Sequence, residues 1–139
     1  MDDNLEIREY TGDGYKPLIY FGSWRVAVLR WIESILPDRL EYLERHTQTD
    51  EVFVLLGGWA ILFLGGSGVK ADGIHPQRME QGKLYNVKQN TWHTVVMSRE
   101  AMLLIVENAD TGEANSEYWQ LTQEQKQAIR EIAKTDLVA

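Results

Sequence analysis

The sequence predicts an all-β fold, a small barrel or sandwich of short strands with one α-helix at the C-terminal end. Three observations predict it. From about residue 15 to residue 110, short runs of aromatic, β-branched and aliphatic residues alternate with Gly, Pro, Asn and Asp punctuation. The spacing of those runs leaves room for six or more strands and little else. Beyond residue 120 the pattern changes to the apolar spacing of an amphipathic helix.

Taken in order, residues 17–31 are rich in strand-forming types and are interrupted by Gly22-Ser23, which reads as one or two opening strands. Residues 34–43 contain Pro37-Asp38, a turn that leads the chain back toward the core. Residues 51–56 and 59–64 are apolar runs on either side of Gly57-Gly58, and the pair reads as a tight hairpin ended by Gly65-Gly66-Ser67-Gly68. Residues 69–81 are polar, carry Gly73 and Pro76, and read as a loop in which His75 is exposed. Short strands follow at 85–87, 91–97 and 102–106. In the last element Thr122 is the expected N-cap and Gln125 holds the capping-box position. Leu121, Ile129 and Ile132 are its apolar anchors, giving a helix over about 122–134 packed on the outside of the barrel.

The 139 residues suit one domain over 1–139, with its barrel core at about 15–110. A net charge of −7 argues against a nucleic-acid partner and against an anionic membrane surface. The acidic start of the chain does not resemble a signal peptide, and no apolar run is long enough to span a membrane, so the expected location is cytoplasmic. Without cysteine there is no thiolate ligand and no Cys nucleophile, so any metal must be held by His and oxygen donors. There is no GxSxG elbow and no phosphate-binding glycine loop, which disfavours a serine hydrolase or a nucleotide-binding enzyme.

Two of the three histidines stand beside strands. Glu44, His46 and Gln48 share one face of a regular strand, whereas Glu51 has the opposite parity. A bend within 47–50 would bring Glu51 to the histidine face. In the second segment Thr91, His93, Val95 and Met97 share a face, which turns His93 inward among apolar neighbours. Interior histidines that are merely hydrogen-bonded are the competing reading.

These two segments resemble the two motifs of the cupin superfamily. The first motif is GxxxxxHxHxxxxE, or a form one residue shorter, followed by six residues and a glycine. Here Glu51 is followed by six residues and Gly58, His46 takes the second histidine position and Glu44 the first. The second motif, GxxxxxPxGxxHxxxN, places Gly82 and His93, with Lys88, Asn90 and Met97 replacing its Pro, Gly and Asn. The resemblance covers residues 40–108 and implies a double-stranded β-helix, or jelly-roll barrel. It further implies that His46, Glu51 and His93 ligate a divalent metal ion, with Glu44 a possible fourth ligand and Gln48 a competing donor. A set rich in carboxylate favours Mn, Fe, Ni or Zn over copper. Glu44 or Tyr85 would then serve in proton transfer, and Arg25 and Lys83 are the cations placed to meet an anionic substrate. The expected function is that of a small metal-binding cupin enzyme acting on a small polar metabolite, a sugar or an organic acid. A small-ligand-binding or scaffold cupin without metal is the alternative. Cupins commonly dimerise through exchanged edge strands, which makes the aromatic-rich segment 15–31 the expected homodimer interface.

Overall fold

The structure, a computed structural model, describes residues 3–138, with side chains through residue 135; residues 1, 2 and 139 of the expected domain lie outside the described residues. Among the described residues ten strands form two five-stranded antiparallel sheets. They are β1 (Gly14–Phe21), β2 (Trp24–Arg30), β3 (Tyr42–His46), β4 (Glu51–Gly57), β5 (Ala60–Leu64), β6 (His75–Arg78), β7 (Leu84–Val87), β8 (His93–Met97), β9 (Met102–Asn108) and β10 (Ser116–Gln120). The first sheet runs β1-β2-β9-β4-β7 and the second β10-β3-β8-β5-β6. Among the described residues one α-helix, α1 (Gln123–Val138), follows the last strand. This is the expected jelly-roll arrangement of two facing sheets with a C-terminal helix.

The period-2 pattern sets which side chains meet between the sheets. Phe53 and Leu55 of β4, Leu103 and Ile105 of β9, Leu62 of β5, and Val95 and Met97 of β8 form one buried cluster there. Alternate residues of the second sheet point the other way and are buried as well. Ile61, Phe63 and Val96 pack with Leu43, Trp92, Leu121, Ile129 and Ala133 in a second cluster. The helix covers that outer face, so β5 and β8 can be apolar on both sides without exposing a hydrophobic patch. The cap is built as expected: Gln125 N donates to Thr122 Oγ1 (3.1 Å) and Thr122 N donates to Gln125 Oε1 (2.9 Å). Among the described residues no helix is long and apolar enough to cross a membrane.

Three expectations are corrected. The runs around Gly57-Gly58 are not a hairpin, because β4 pairs with β7 and β9 whereas β5 pairs with β6 and β8. The glycines carry the chain from one sheet to the other. Gly58 sits at φ +71°, and a Cβ there would lie 2.7 Å from Ala101 Cα, so both conformation and space require glycine. The polar stretch 69–81 is not all loop, since β6 adds an exposed edge strand to β5. Residues 116–120 form β10, a strand the sequence pattern did not announce; it pairs with β3 along its whole length.

Two features of this frame position the site. First, β3 and β8 are joined at a single bridge pair, Glu44 with His93. Second, Asn90 occupies the glycine position of the second motif with φ +67°, a left-handed conformation that Asn tolerates better than most residues. Its backbone N–H donates to His46 O (2.9 Å), tying the turn before β8 to the end of β3.

Candidate functional site

The bend predicted within 47–50 is present: β3 ends at His46, the chain crosses to the first sheet, and β4 begins at Glu51. Glu51 therefore faces His46 from the opposite sheet instead of pointing away along the same strand. His93 comes from β8, next to Glu44 on β3. The four side chains converge in a cavity of about 340 Å³ between the sheets.

Distances within the group are short. Glu51 Oε1 lies 3.1 Å from His46 Nε2 and 2.8 Å from His93 Nε2. Glu44 Oε1 is 3.8 Å from the former nitrogen and 3.9 Å from the latter. His46, Glu51 and His93 are buried, whereas the Glu44 side chain keeps 42 % of its surface at the mouth. The tautomer of His93 follows from its partner: Thr91 O is only an acceptor, so Nδ1 donates to it (2.9 Å) and Nε2 is the nitrogen that faces the cavity. Although 2.8 Å from Glu51, this Nε2 lacks the alignment of a hydrogen bond and is, with Arg25 Nε, an unpartnered buried side-chain atom. His46 is oriented by Ser116 Oγ, 2.8 Å from its Nδ1.

Glu107 on β9 completes the group, and sequence reasoning missed it. It lies close enough to His46 and Glu51 that one ligand atom from each falls within 4.8 Å of the others; Glu44, His46 and His93 form a second such trio. Its Oε2 accepts from Arg25 Nη2 (3.1 Å) and from the Tyr15 hydroxyl (3.3 Å). A signal was present in the chain. Leu103, Ile105 and Glu107 share the inward parity of β9, so the carboxylate stands where the pattern calls for an apolar residue. The expected strand stopped at residue 106, one short of it.

The electrostatics follow from burial and from these contacts. Burial pushes the Glu107 carboxyl up to about 7, with help from the neighbouring Glu51 charge, while Arg25 pulls the other way. Burial would likewise raise Glu51, but the hydrogen bond from His46 and the charge of the adjacent His93 imidazole win and hold it well below the usual carboxylate range. Burial would lower His93, yet Glu51 outweighs it and raises the imidazole to about 9; His46 is raised for the same reason. Burial and Glu107 push the Tyr15 hydroxyl up, so it acts as a donor.

The other predicted residues lie elsewhere. Tyr85 shares the interior with Phe53, but its hydroxyl accepts from Glu80 N (2.8 Å), so it is turned away and does not line the cavity. Gln48 is exposed in the crossing, and its carbonyl accepts from Asn108 Nδ2. Lys83 pairs with Glu80 on the surface and His75 is exposed on β6. Arg25 does line the cavity, already engaged by Glu107. Trp92, next to His93 in the chain, packs in the outer cluster beneath the Arg45 guanidinium.

No family model and no curated protein matches this chain. Solved structures do. The Streptomyces protein Pac13, solved with uridine and described as a nucleoside dehydratase, has a TM-score of 0.54 at 11 % identity, covering 86 % of this chain and 96 % of its own. KdgF from Halomonas sp. gives 0.50 at 11 %, over 70 % of this chain and 78 % of that one. The lyase DddQ from Ruegeria pomeroyi, named for DMSP, gives 0.50 at 17 %, over 71 % of this chain and 49 % of its own. At such identities the likeness speaks to architecture: two facing antiparallel sheets, with the two motifs meeting between them, are a cupin fold.

Proposed function

We propose that the cavity is a divalent-metal centre held by His46, Glu51 and His93, with Glu44 as a further ligand, in an enzyme that acts on a small polar metabolite. The observation that carries this reading is His93 Nε2. It is a fully buried nitrogen, fixed in tautomer by Thr91, that points at a carboxylate oxygen 2.8 Å away without bonding to it. Ligand atoms of Glu44, His46 and His93, and likewise of His46, Glu51 and Glu107, lie within 4.8 Å of one another, and such convergence fits the residues of an ion site. Two imidazoles and carboxylates without thiolate suit Mn, Fe, Ni or Zn. When bound, such an ion polarises a substrate oxygen or acidifies a water.

The chain's own residues supply the rest. Ser116 and Thr91 orient the two imidazoles. Glu44, at the mouth, is placed to accept a proton from a bound hydroxyl, a role that Tyr85 is turned away from. Leu29, Ile35, Phe53, Val95 and Ile105 form apolar walls that limit water at the polar end. One observation favours the alternative, a small-ligand-binding cupin without metal: His46 Nε2 and Glu51 Oε1, two of the named ligand atoms, already satisfy each other at 3.1 Å. Homodimerisation through the β1–β2 hairpin is supported by Tyr20, Phe21 and Trp24, all exposed there, and light scattering at micromolar concentration tests it.

Elemental analysis of protein purified without tag or chelator, wild type against His46→Ala, tests the metal reading. Near-stoichiometric metal that the variant loses is the expected result. A wild type that stays metal-free after incubation with Mn, Fe(II), Ni and Zn would leave the ligand-binding reading standing.

A further inference from the structure

We infer that Glu107 is itself a ligand of the divalent ion, so that two carboxylates of the first sheet, Glu51 and Glu107, close on two imidazoles of the second, His46 and His93. The inference rests on the reading of this cavity as a metal centre and adds a residue to it.

Sheet register brings the two carboxylates together. In the antiparallel pair β4 and β9, Val52 stands opposite Val106, and the same register carried one residue further sets Glu51 opposite Glu107. Both side chains line the cavity and both are buried, Glu107 to 3 % exposure and Glu51 to 6 %. They are in hydrogen-bond contact with each other. Like charges directly across a sheet destabilise it, the more so away from water, and such a pair persists where positive charge stands beside it.

Arg25 supplies part of that charge and accounts for one oxygen of Glu107. Its Nη2 (3.1 Å) and the Tyr15 hydroxyl (3.3 Å) both donate to Oε2, which leaves Oε1 outside that pair of bonds. An ion pair with Arg25 alone gives the carboxylate no reason to meet Glu51. A cation shared by the two carboxylates does. Ligand atoms of His46, Glu51 and Glu107 lie within 4.8 Å of one another, and His93 Nε2, fully buried and unpartnered, belongs to a side chain lining the same cavity. Arg25 and Tyr15 then play the part of the outer hydrogen bonds that orient an ion-ligating carboxylate. Glu44, by contrast, keeps 42 % of its side-chain surface at the mouth, so Glu107 is the more firmly placed of the two.

The crystal structure of the wild type soaked with Zn(II) is the direct test. A Glu107 oxygen at about 2.0–2.2 Å from the ion is expected. Zn(II) seated on His46, Glu51 and His93 with both Glu107 oxygens beyond ~3 Å would overturn the inference. Calorimetric titration of Glu107→Gln, which keeps the shape and an acceptor for Arg25, gives an independent readout. Mn(II) affinity should fall about 100-fold or more and Ni(II) affinity by less, because carboxylate matters more to the harder ion. Tyr15→Phe, which removes one orienting donor, should cost about tenfold. A folded Glu107→Gln that binds Mn(II) within about threefold of the wild type, or that loses Mn(II) and Ni(II) equally, would also overturn it. The soaked crystal needs no variant, so it decides the matter if Glu107→Gln does not fold. A wild type that takes up none of these ions sinks the metal reading and this inference with it, whereas a filled site with Glu107 outside it sinks this inference alone.

Discussion

In the ion-free protein the His93 imidazole, raised to about 9 by Glu51, carries a proton at neutral pH that a metal ion must displace. At pH 7 the protonated form outnumbers the neutral one by about two powers of ten, so the apparent affinity is about 100-fold weaker than that of the fully deprotonated site, or about 2.7 kcal/mol at ~1.36 kcal/mol per tenfold step. His46, also raised, and Glu107, raised to about 7, add to the protons released. Affinity should therefore climb at least tenfold per pH unit from pH 6 to 8 and level off above 9. Isothermal titration with Mn(II) and Ni(II) in non-coordinating buffers measures it. Repeating the titration at pH 7 in buffers of different ionisation enthalpy counts the protons, with one or more released per ion expected. In His93→Ala the residual affinity should be weak and its pH slope shallower. A flat profile between pH 7 and 9 in the wild type, with no proton release, would refute the reasoning, because it would mean that the ion does not compete for the nitrogen that Glu51 holds protonated.

Three further outcomes are expected. The raised His93 contributes stability to the ion-free fold that is fully present below about pH 6.5 and is lost as pH rises through about 9. The raised Glu107 contributes stability that fades as pH rises through about 7, so the melting temperature of ion-free protein should fall between pH 7 and 9. Thermal melts across that window check it, and a rising melting temperature would contradict it. Arg25→Met strips a buried carboxylate of its cation, since the Glu107 side chain is only 3 % exposed, and should cost about 3–5 kcal/mol in urea unfolding, more above pH 7 than below it. Gly58→Ala, which would press a Cβ to 2.7 Å from Ala101 Cα at φ +71°, should cost about 1–3 kcal/mol by the same assay; an unchanged midpoint would show that the sheet crossing relaxes freely.

The site was legible to the extent that its signal was local. His46 and Glu51 are five residues apart and His93 sits at a fixed place after Gly82, so motif spacing could bring them together. Glu107, Arg25 and Tyr15 are joined only by sheet pairing. Arg25 stands opposite Glu107 across β2 and β9, some eighty residues away in the chain, and nothing local encodes that register. The Gly57-Gly58 crossing misled for a related reason. Two apolar runs around a flexible dipeptide look alike whether the strands pair or part, and the difference lies in what each run packs against. In β5 both faces are apolar because α1 covers the outer one, a partner sixty residues further on. Tyr85 lies away from the cavity because strand parity fixes a face but not the reach of a long side chain, which here ends at the Glu80 amide.

The single bridge pair between β3 and β8 has a dynamic consequence. The second sheet is strongly laddered on either side of that junction, β10 with β3 and β5 with β8, and thinly stitched between them. The unit formed by β3 and β10 can therefore open as a cooperative piece at a free energy below that of global unfolding. Glu44 and His46 lie on one side of this seam and His93 on the other. A ligand held by both sides acts as a clasp: it raises the opening free energy by RT ln(1 + L/Kd), with L the free ligand concentration, and slowed amide exchange in β3 and β10, with little change in β1 and β2, is how that clasp would be seen.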